Sequence, residues 1–287
     1  MPKSQTTIKD CLIDGQKKLS QADISSSRLD NELILSAATQ LSREYLLAHD
    51  EDYLDDQALS TYKELIEKRC RRIPLAYLLG YRQFYGRNFT VNQATLIPRP
   101  ETEQLIKIAI DLTRQETITK VADIGTGSGC LAITLGLELP QLAITASDVS
   151  RQALAVAQKN ATDLNAKNIN FLESNLWDNF LENDYDLAIA NLPYVDSGWT
   201  ELANYPELEY EPPNALYASN KGLAIIKKFI ETSHNYLKEN GYLLIEMDPR
   251  QRQAIYGYAQ KYRYQILIDR PFAILMQLKN TAKAKQN

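Results

Sequence analysis

A glycine-rich loop is the first feature of this 287-residue sequence whose residue types can do chemistry. It comprises Gly125, Thr126, Gly127, Ser128 and Gly129, between a predicted strand and a predicted helix. Glycine has no Cβ, so a backbone built this way turns tightly and approaches a ligand closely. The helix that follows offers free N–H groups to an anionic group such as a carboxylate. The loop therefore predicts a binding site for a ligand that carries such a group.

Asp148 ends the next predicted strand and adds a carboxylate to this site. A carboxylate there can accept hydrogen bonds from both hydroxyls of a ribose; the alternative is an N-cap or turn aspartate before the following helix. A nicotinamide dinucleotide site shares this placement, with the fingerprint G-x-G-x-x-G or G-x-G-x-x-A. Here the third fingerprint position is Cys130, and the glycines run G-x-G-x-G. Asp148 fits both kinds of cofactor and does not separate them.

The loop spacing, with Asp123 two residues ahead of Gly125, resembles motif I of class I S-adenosylmethionine methyltransferases. The resemblance implies S-adenosyl-L-methionine as the cofactor. In such enzymes the segment after the third strand often holds the adenine. This implies that Asn175 hydrogen-bonds the base and that Leu176 or Trp177 packs on its face. An ordinary loop with a half-buried aromatic is the alternative.

A second motif, Asn191-Leu192-Pro193-Tyr194, follows directly on an apolar run and resembles the (N/D)-P-P-Y signature of enzymes that methylate nitrogen conjugated to an sp² system. An amide nitrogen is a poor nucleophile because its lone pair is delocalised into the carbonyl. The Asn191 side-chain oxygen and the Leu192 carbonyl can accept from both N–H groups of such an amide. Tyr194 can pack on the planar group. Leu192 stands where the signature more often has proline; the fixed φ is lost, but the main-chain acceptor remains.

Alternating strands and helices must position these residues. Strands are predicted at Thr119–Ile124, Ala143–Ser147, Ile169–Glu173, Leu187–Ala190, Tyr242–Met247, Gln265–Ile268 and Ala273–Leu278. Helices are predicted at Glu101–Arg114, Gly129–Leu139, Ser150–Leu164, Gly222–Leu237 and Arg250–Tyr262. Apolar strands that alternate with helices indicate an α/β, doubly wound parallel sheet covered on both faces.

The first part of the chain has a different pattern. Apolar residues recur near helical spacing in Ile24–His49 and in Asp56–Arg72. A stretch rich in Tyr, Phe, Thr and Val follows, cut by glycines, as is typical of a β-hairpin. The predicted domains are a helical domain at 1–73, a β-hairpin linker at 74–97 and a methyltransferase domain at 98–287. The helical domain is expected to recognise a partner; a plain structural cap is the alternative.

Two longer stretches resemble the release factor glutamine methyltransferases (PrmC, also called HemK). One is Pro74–Leu105, which contains L-I-P-R-P-E-T-E at 96–103, and the other is 205–216, which ends in E-P-P-N-A-L. The resemblance covers roughly residues 74–250. It implies a seven-stranded class I fold with a final antiparallel strand. It also implies peptide chain release factors as protein substrates, modified at the glutamine of their Gly-Gly-Gln loop.

Roles for the flanking segment remain open. Arg99, Glu101 and Glu103 either shape the methionine end of the cofactor or cap and pair on a helix. The sequence departs from the family at two further places. Ala218–Lys221 replaces a glycine-rich stretch, and Glu246–Gln251 lacks the glycine of the family's E-I-G-x-x-Q.

Composition argues against several classes of function. The chain has 36 acidic and 32 basic residues, a formal charge of −4, and so lacks the cationic excess typical of proteins that hold bare nucleic acid. Three cysteines and two histidines lie at no metal-ligand spacing, so no metal is expected. No apolar run reaches the roughly 18 residues of a membrane helix, and no signal core begins the chain. We expect a cytoplasmic protein without membrane or direct nucleic-acid partners.

Four alternatives to a release factor methyltransferase remain. The N-L-P-Y spelling also occurs in rRNA adenine dimethyltransferases, which leaves an adenine-specific RNA or DNA methyltransferase open. A glutamine methyltransferase of a ribosomal protein usually has a different spelling where this chain has P-R-P-E-T-E. A nicotinamide-dependent oxidoreductase shares the loop placement. A catalytically silent binding protein would keep only the cofactor fold, which the intact Asn191 and Gly125–Gly129 disfavour.

Overall fold

The computed structural model describes residues 6–279, which divide into two compact units. The first consists of the described residues up to Tyr81 together with Tyr205–Tyr210, and the second of Arg82–Asn204 with the described residues from Glu211 onward. Residues 1–5 and 280–287 of the predicted domains lie outside the described residues.

The first unit is helical, as expected. Its helices are α1 Ile8–Gln21, α2 Ser27–Thr39, α3 Arg43–Ala48, α4 Asp56–Cys70 and α5 Leu75–Leu79. Side-chain caps begin three of them: Thr7 forms a reciprocal capping box with Asp10, while Ser42 and Asp55 each accept from a backbone N–H of the first turn. The predicted hairpin linker is therefore helical at its start, because Leu75–Leu79 forms one short helix before the strands.

Apolar side chains from α1, α2 and α4 fill the core of this unit, among them Leu19, Ile34 and Ile66. The buried Tyr62 hydroxyl donates to the Cys11 carbonyl oxygen at 2.6 Å and lies 2.7 Å from Asn31 Oδ1. Gly15 makes room for this contact, since a Cβ there would lie 2.0 Å from the Tyr62 hydroxyl.

Apart from Tyr81, which belongs to the first unit, the second unit contains the remaining helices and strands, in the order β1 Tyr81–Phe84, β2 Arg87–Thr90, α6 Glu103–Gln115, β3 Lys120–Ile124, α7 Cys130–Glu138, β4 Ala143–Asp148, α8 Arg151–Asp163, β5 Ile169–Glu173, β6 Tyr185–Ala190, α9 Pro213–Leu216, α10 Ala224–Ser233, β7 Leu237–Glu246, α11 Arg252–Lys261, β8 Tyr264–Arg270 and β9 Ala273–Leu278. Short 3₁₀ helices lie at Pro100–Thr102, Thr200–Asn204 and Pro249–Gln251. The predicted alternation of strands and helices is confirmed, with shifts of a few residues at most ends.

Seven strands form the main sheet of the described chain, in the order β5-β4-β3-β6-β7-β9-β8. The pairs from β5 to β7 are parallel, and β9 pairs antiparallel with both β7 and β8. Successive strand residues enter two separate apolar clusters, one with Val121 and Leu187 and the other with Ala122 and Ala188. Because strand side chains alternate between faces, both faces of the sheet are buried under helices. The doubly wound fold with a final antiparallel strand is confirmed.

The strand order reverses between β3 and β6. From β3 the chain continues outward through β4 and β5, and it then returns to β6 on the other side of β3. In open α/β sheets, ligands bind outside the carboxyl ends of the strands at such a switch point. The glycine-rich loop follows β3 and Asn191 follows β6, so both motifs lie at this edge.

Candidate active site

The glycine-rich loop is fastened to its neighbours by backbone bonds. The N–H groups of Gly125 and Thr126 both donate to the Ser147 carbonyl at 2.8 Å. The buried Asp123 accepts from the Thr126 hydroxyl at 2.6 Å and from the Ala132 N–H at 3.2 Å. Burial raises the pKa of Asp123 to about 7, although these two hydrogen bonds act to lower it. The buried Asp123 carboxyl group therefore stabilises the conformation of the loop.

The three glycines of the loop have positive φ, and they do different work. A Cβ at Gly127 would meet no atom within 4 Å, so this residue opens on empty space. A Cβ at Gly125 would lie 3.0 Å from the Leu192 side chain. Gly129 instead faces the core, where a Cβ would meet Ile133 at 2.7 Å and Ala157 at 3.1 Å. Gly125–Ser128 therefore line the cavity, and Gly129 packs against the core.

Asp148 ties the loop to the end of β4. Its Oδ2 accepts from the Gly127 N–H and its Oδ1 from the Ser150 N–H, both at 2.9 Å. Burial raises the Asp148 pKa, and these backbone bonds act against the rise. The N-cap of α8 is Ser150, whose side chain accepts from Ala153 N, so Asp148 does not serve as that cap. Its carboxylate lines the cavity described below.

Asn175, Leu176 and Trp177 follow β5 and diverge in placement. Asn175 and Leu176 line the cavity, and Leu176 holds a left-handed φ of 51°. Trp177 is buried in the core, where its Nε1 donates to Ser233 and its ring packs against Phe229. The alternative that Trp177 packs on the adenine is wrong, because this indole is buried in the core and does not line the cavity.

The Asn191–Tyr194 motif leaves β6 at the centre of the sheet, where Ala190 pairs with Ile124 of β3 and Ile245 of β7. Asn191, Leu192 and Pro193 line the cavity together with the glycine-rich loop. Tyr194 lies behind them, and its hydroxyl donates to Glu246 Oε1 at 3.0 Å. Burial and the nearby Glu246 raise the Tyr194 pKa.

Contacts from later in the chain hold the end of this motif. Gln251 Nε2 donates to the Tyr194 carbonyl at 2.8 Å and to the Lys221 carbonyl at 3.0 Å. Val195 N donates to the Leu216 carbonyl at 2.9 Å, in a parallel bridge. These bonds fix the segment before α10 against the Asn191–Tyr194 motif. The departures at Ala218–Lys221 and Glu246–Gln251 leave these bonds in place.

The flanking segment makes protein contacts. Arg99 pairs with the buried Glu211, which also accepts from the Ile97 N–H at 2.9 Å. Glu103 accepts from the Tyr85 N–H at 2.9 Å. These contacts agree with the pairing alternative for Arg99 and Glu103.

Two residues of this region were missed by sequence reasoning. Thr102 and Glu246 are each 1% exposed, and Thr102 donates to Glu246 Oε2 at 2.6 Å. Asn191 Nδ2 donates to the same Thr102 hydroxyl oxygen at 3.1 Å. Thr102 lies inside the P-R-P-E-T-E stretch, between Glu101 and Glu103, and its uncharged side chain carries no signal of a role.

A cavity opens at this edge of the sheet. It is lined by Gly125, Thr126, Gly127, Ser128, Asp148, Asn175, Leu176, Asn191, Leu192 and Pro193, among others. Open space at Gly127, a carboxylate at Asp148 and an apolar contact at Leu176 fit the amino-acid, ribose and base portions of S-adenosyl-L-methionine. Gly129 and Tyr194 lie outside the lining.

Fold and cavity define the class of protein: a class I S-adenosylmethionine-dependent methyltransferase. Residues 107–217 match the methyltransferase small domain, and residues 10–80 match the PrmC N-terminal domain. The chain is 37% identical over 242 residues to a release factor glutamine methyltransferase of Koribacter versatilis, covering 84% of this chain and 86% of the relative. A relative of the same name from Neisseria gonorrhoeae is 36% identical, over 80% of this chain and 84% of the relative. The chain belongs to the release factor glutamine methyltransferase family.

Other similarities extend the comparison. A bifunctional methyltransferase of Rickettsia felis is 30% identical over 88% of this chain, which spans 53% of that longer protein. Among solved structures, the hMettl16 catalytic domain in complex with a 3'UTR hairpin aligns with a TM-score of 0.54 and 18% identity, over 77% of this chain and 82% of that one. At this identity the match shows the shared fold alone.

Two further findings concern the described residues only. Within residues 6–279, no group of three or more His, Cys, Asp or Glu side chains is arranged to hold a metal ion. Every helix in the same range is too short or too polar to span a bilayer.

Proposed function

We propose that this chain transfers a methyl group from S-adenosyl-L-methionine to the side-chain amide nitrogen of the glutamine in the Gly-Gly-Gln motif of peptide chain release factors. The observation that carries the proposal is the shared cavity, in which Asn191 and Leu192 lie beside the glycine-rich loop. Family membership supports release factors over adenine or a ribosomal protein as the substrate.

The cofactor-binding part of the proposal assigns one role to each portion of the lining. Gly125–Gly129 hold the amino-acid portion, and Gly129 is the N-cap of α7. Asp148 accepts from the ribose hydroxyls, and Asn175 and Leu176 contact the base. When bound, the cofactor supplies an activated methyl group on a sulfonium.

The substrate-binding part concerns the orientation of a planar NH₂ group. Asn191 Oδ1 and the Leu192 carbonyl accept its two hydrogens, which leaves the nitrogen lone pair directed across the cavity. Positioned acceptors also oppose the loss of electron density from nitrogen as the new bond forms. Pro193 rigidifies the backbone after the second acceptor. The proton leaves after transfer, when the nitrogen is cationic, so the site needs no strong base beforehand.

The domain assignment belongs to the same proposal. Residues 1–73 recognise the release factor, 74–97 link the parts, and 98–287 carry out methyl transfer. Release factors act on ribosomes, so we place the enzyme in the cytoplasm, with a protein substrate and no direct nucleic-acid partner. The acidic formal charge of −4 supports a protein substrate.

The test combines the purified chain, S-adenosyl-L-methionine and an unmodified release factor, followed by peptide mapping of the added mass. One methyl group on the Gly-Gly-Gln glutamine is expected. A release factor in which that glutamine is replaced by glutamate is the matched substrate control and should gain nothing. Methyl transfer to adenine in RNA or to a ribosomal protein, with none to the release factor, would overturn the proposal.

A further inference from the structure

A network of buried hydrogen bonds starts at the candidate amide acceptor and includes Thr102, which also lines the cavity. It consists of Asn191 Nδ2 to Thr102 Oγ1 at 3.1 Å, and Thr102 Oγ1 to Glu246 Oε2 at 2.6 Å. Tyr194 donates to the other oxygen of Glu246 at 3.0 Å. Thr102 and Glu246 are each 1% exposed, so water does not replace these bonds.

The sheet explains why these groups meet. Asn191 follows β6 and Glu246 ends β7, and the register Ala190 to Ile245 makes them lateral neighbours at the carboxyl edge. Thr102 ends the 3₁₀ helix Pro100–Thr102 and inserts its hydroxyl between them. The chain of hydrogen bonds therefore joins three separate stretches of sequence at one point of the cavity wall.

Which group donates and which accepts in each of these hydrogen bonds follows from the protons that the groups carry. An ionised Glu246 only accepts, so it takes the single proton of the Thr102 hydroxyl. The Thr102 oxygen is then left with lone pairs, and Asn191 can meet it only through its NH₂ group. The reversed carboxamide would face oxygen against oxygen and would lose a buried hydrogen bond. The bond therefore fixes which end of the carboxamide meets Thr102, and Asn191 Oδ1 points away from that hydroxyl.

We propose that Thr102 is a positioning residue for methyl transfer, which sets the orientation of the Asn191 carboxamide under the control of the Glu246 carboxylate. The proposal rests on the proposed function and adds to it a reason why Asn191 acts as an acceptor. Hydrogen bonds in such a chain polarise one another. Donation from Asn191 toward a carboxylate therefore increases the electron density on Oδ1, which strengthens its bond to the substrate N–H.

Protonation of Glu246 reverses the direction of these hydrogen bonds. A neutral Glu246 can donate to Thr102, whose own proton then turns toward Asn191 and favours the wrong face of the carboxamide. Burial raises the Glu246 pKa to about 7, opposed by the bonds from Thr102 and Tyr194; nearby Glu101 raises it and Arg99 lowers it. The charge of Glu246 in turn contributes to a raised pKa of the nearby Cys130 thiol. The rate of transfer is therefore expected to fall as the pH drops through this value.

The experiment measures kcat for methyl transfer to the release factor, with cofactor affinity and melting temperature as companions. Thr102→Val removes the hydroxyl at nearly constant volume and should lower kcat by roughly tenfold, the value of one hydrogen bond, with cofactor affinity unchanged. Thr102→Ser restores the hydroxyl and should restore most of the rate. Thr134→Val is the matched control, since Thr134 is buried and its hydroxyl has no hydrogen-bond partner within the described chain.

Glu246→Gln provides the second readout, because a glutamine does not titrate. The wild-type rate should show an acidic limb with a midpoint near the Glu246 pKa of about 7, and the variant should lose that limb. Wild-type kcat in a folded Thr102→Val, or an unchanged acidic limb in Glu246→Gln, would overturn the proposal. If Thr102→Val does not fold, the pH profile of Glu246→Gln decides alone. Failure of the wild-type chain to methylate any release factor would instead defeat the proposed function.

Discussion

Gly222 packs against the backbone of the Asn191–Tyr194 motif, so Gly222→Ala is expected to displace this motif. A Cβ there would lie 1.9 Å from the Tyr194 carbonyl oxygen and 2.7 Å from its carbon. The Gln251 amide, at 2.6 Å, cannot make room, because it donates to that same carbonyl. The residue also has a φ of 76°, in the left-handed region.

The magnitude has two parts. A left-handed alanine costs about 1–2 kcal/mol of stability, and crowding of packed backbone costs about 1–3 kcal/mol more. Relief of the clash requires a shift of roughly 1 Å at Tyr194, next to the candidate acceptors Asn191 and Leu192. A misplacement of that size can cost about 100-fold in rate. We expect kcat to fall by about that factor while cofactor affinity stays near the wild-type value.

The assay compares Gly222→Ala with Gly86→Ala by thermal unfolding and by methyl transfer to the release factor. Gly86 has a φ of 74°, and no atom lies within 4 Å of the position that a Cβ would take, so it carries the backbone strain without the clash. Gly86→Ala should lose only the first part of the stability and keep its kcat. Equal kcat values for the two variants would show that the position of Tyr194 does not matter for transfer.

Three further changes test other parts of the chain. Asn191→Ala should abolish methyl transfer and leave cofactor affinity nearly unchanged, as isothermal titration would show; loss of cofactor binding would contradict the assigned role. Asp148→Ala should weaken cofactor binding by roughly 1–3 kcal/mol in the same titration, since it removes charge-assisted acceptors; an unchanged affinity would exclude a ribose contact. Arg69→Ala leaves Asp30 buried without its cation and should destabilise the helical unit by about 3–5 kcal/mol. Lys68→Ala, on the same helix but in an exposed pair, should cost less than about 1 kcal/mol in the same melting experiment, and equal losses would refute the burial argument.

Patterns within one stretch of sequence predicted most of the fold. Ile169–Glu173 and Ala273–Leu278 are strands with the expected ends. Both are five or six residues long, which is the length of a strand and too short for a typical helix. Leu75–Leu79 is helical although its residues are apolar and aromatic, since Pro74 and Gly80 bound a single helical turn that a propensity argument assigns to the hairpin. β7 begins five residues earlier than expected, at Leu237.

The candidate site was predictable only in its local parts. The glycine-rich loop, Asp148 and Asn191 could be identified because each lies at the carboxyl end of a strand, and these ends meet at one edge of a parallel sheet. The bond between Thr102 and Glu246 joins residues 144 positions apart, and no local pattern announces it. The choice between Leu176 and Trp177 was not predictable for a similar reason, because the placement of Trp177 depends on Ser233 and Phe229, which belong to another element.

The most direct measurement is a crystal structure of the chain with S-adenosylhomocysteine and a release factor peptide that contains Gly-Gly-Gln. The glutamine nitrogen should lie at hydrogen-bond distance, about 3 Å, from both Asn191 Oδ1 and the Leu192 carbonyl oxygen, facing the cofactor sulfur. An Asn191 side chain turned away from the cofactor, with no space for a carboxamide between them, would contradict the proposed chemistry.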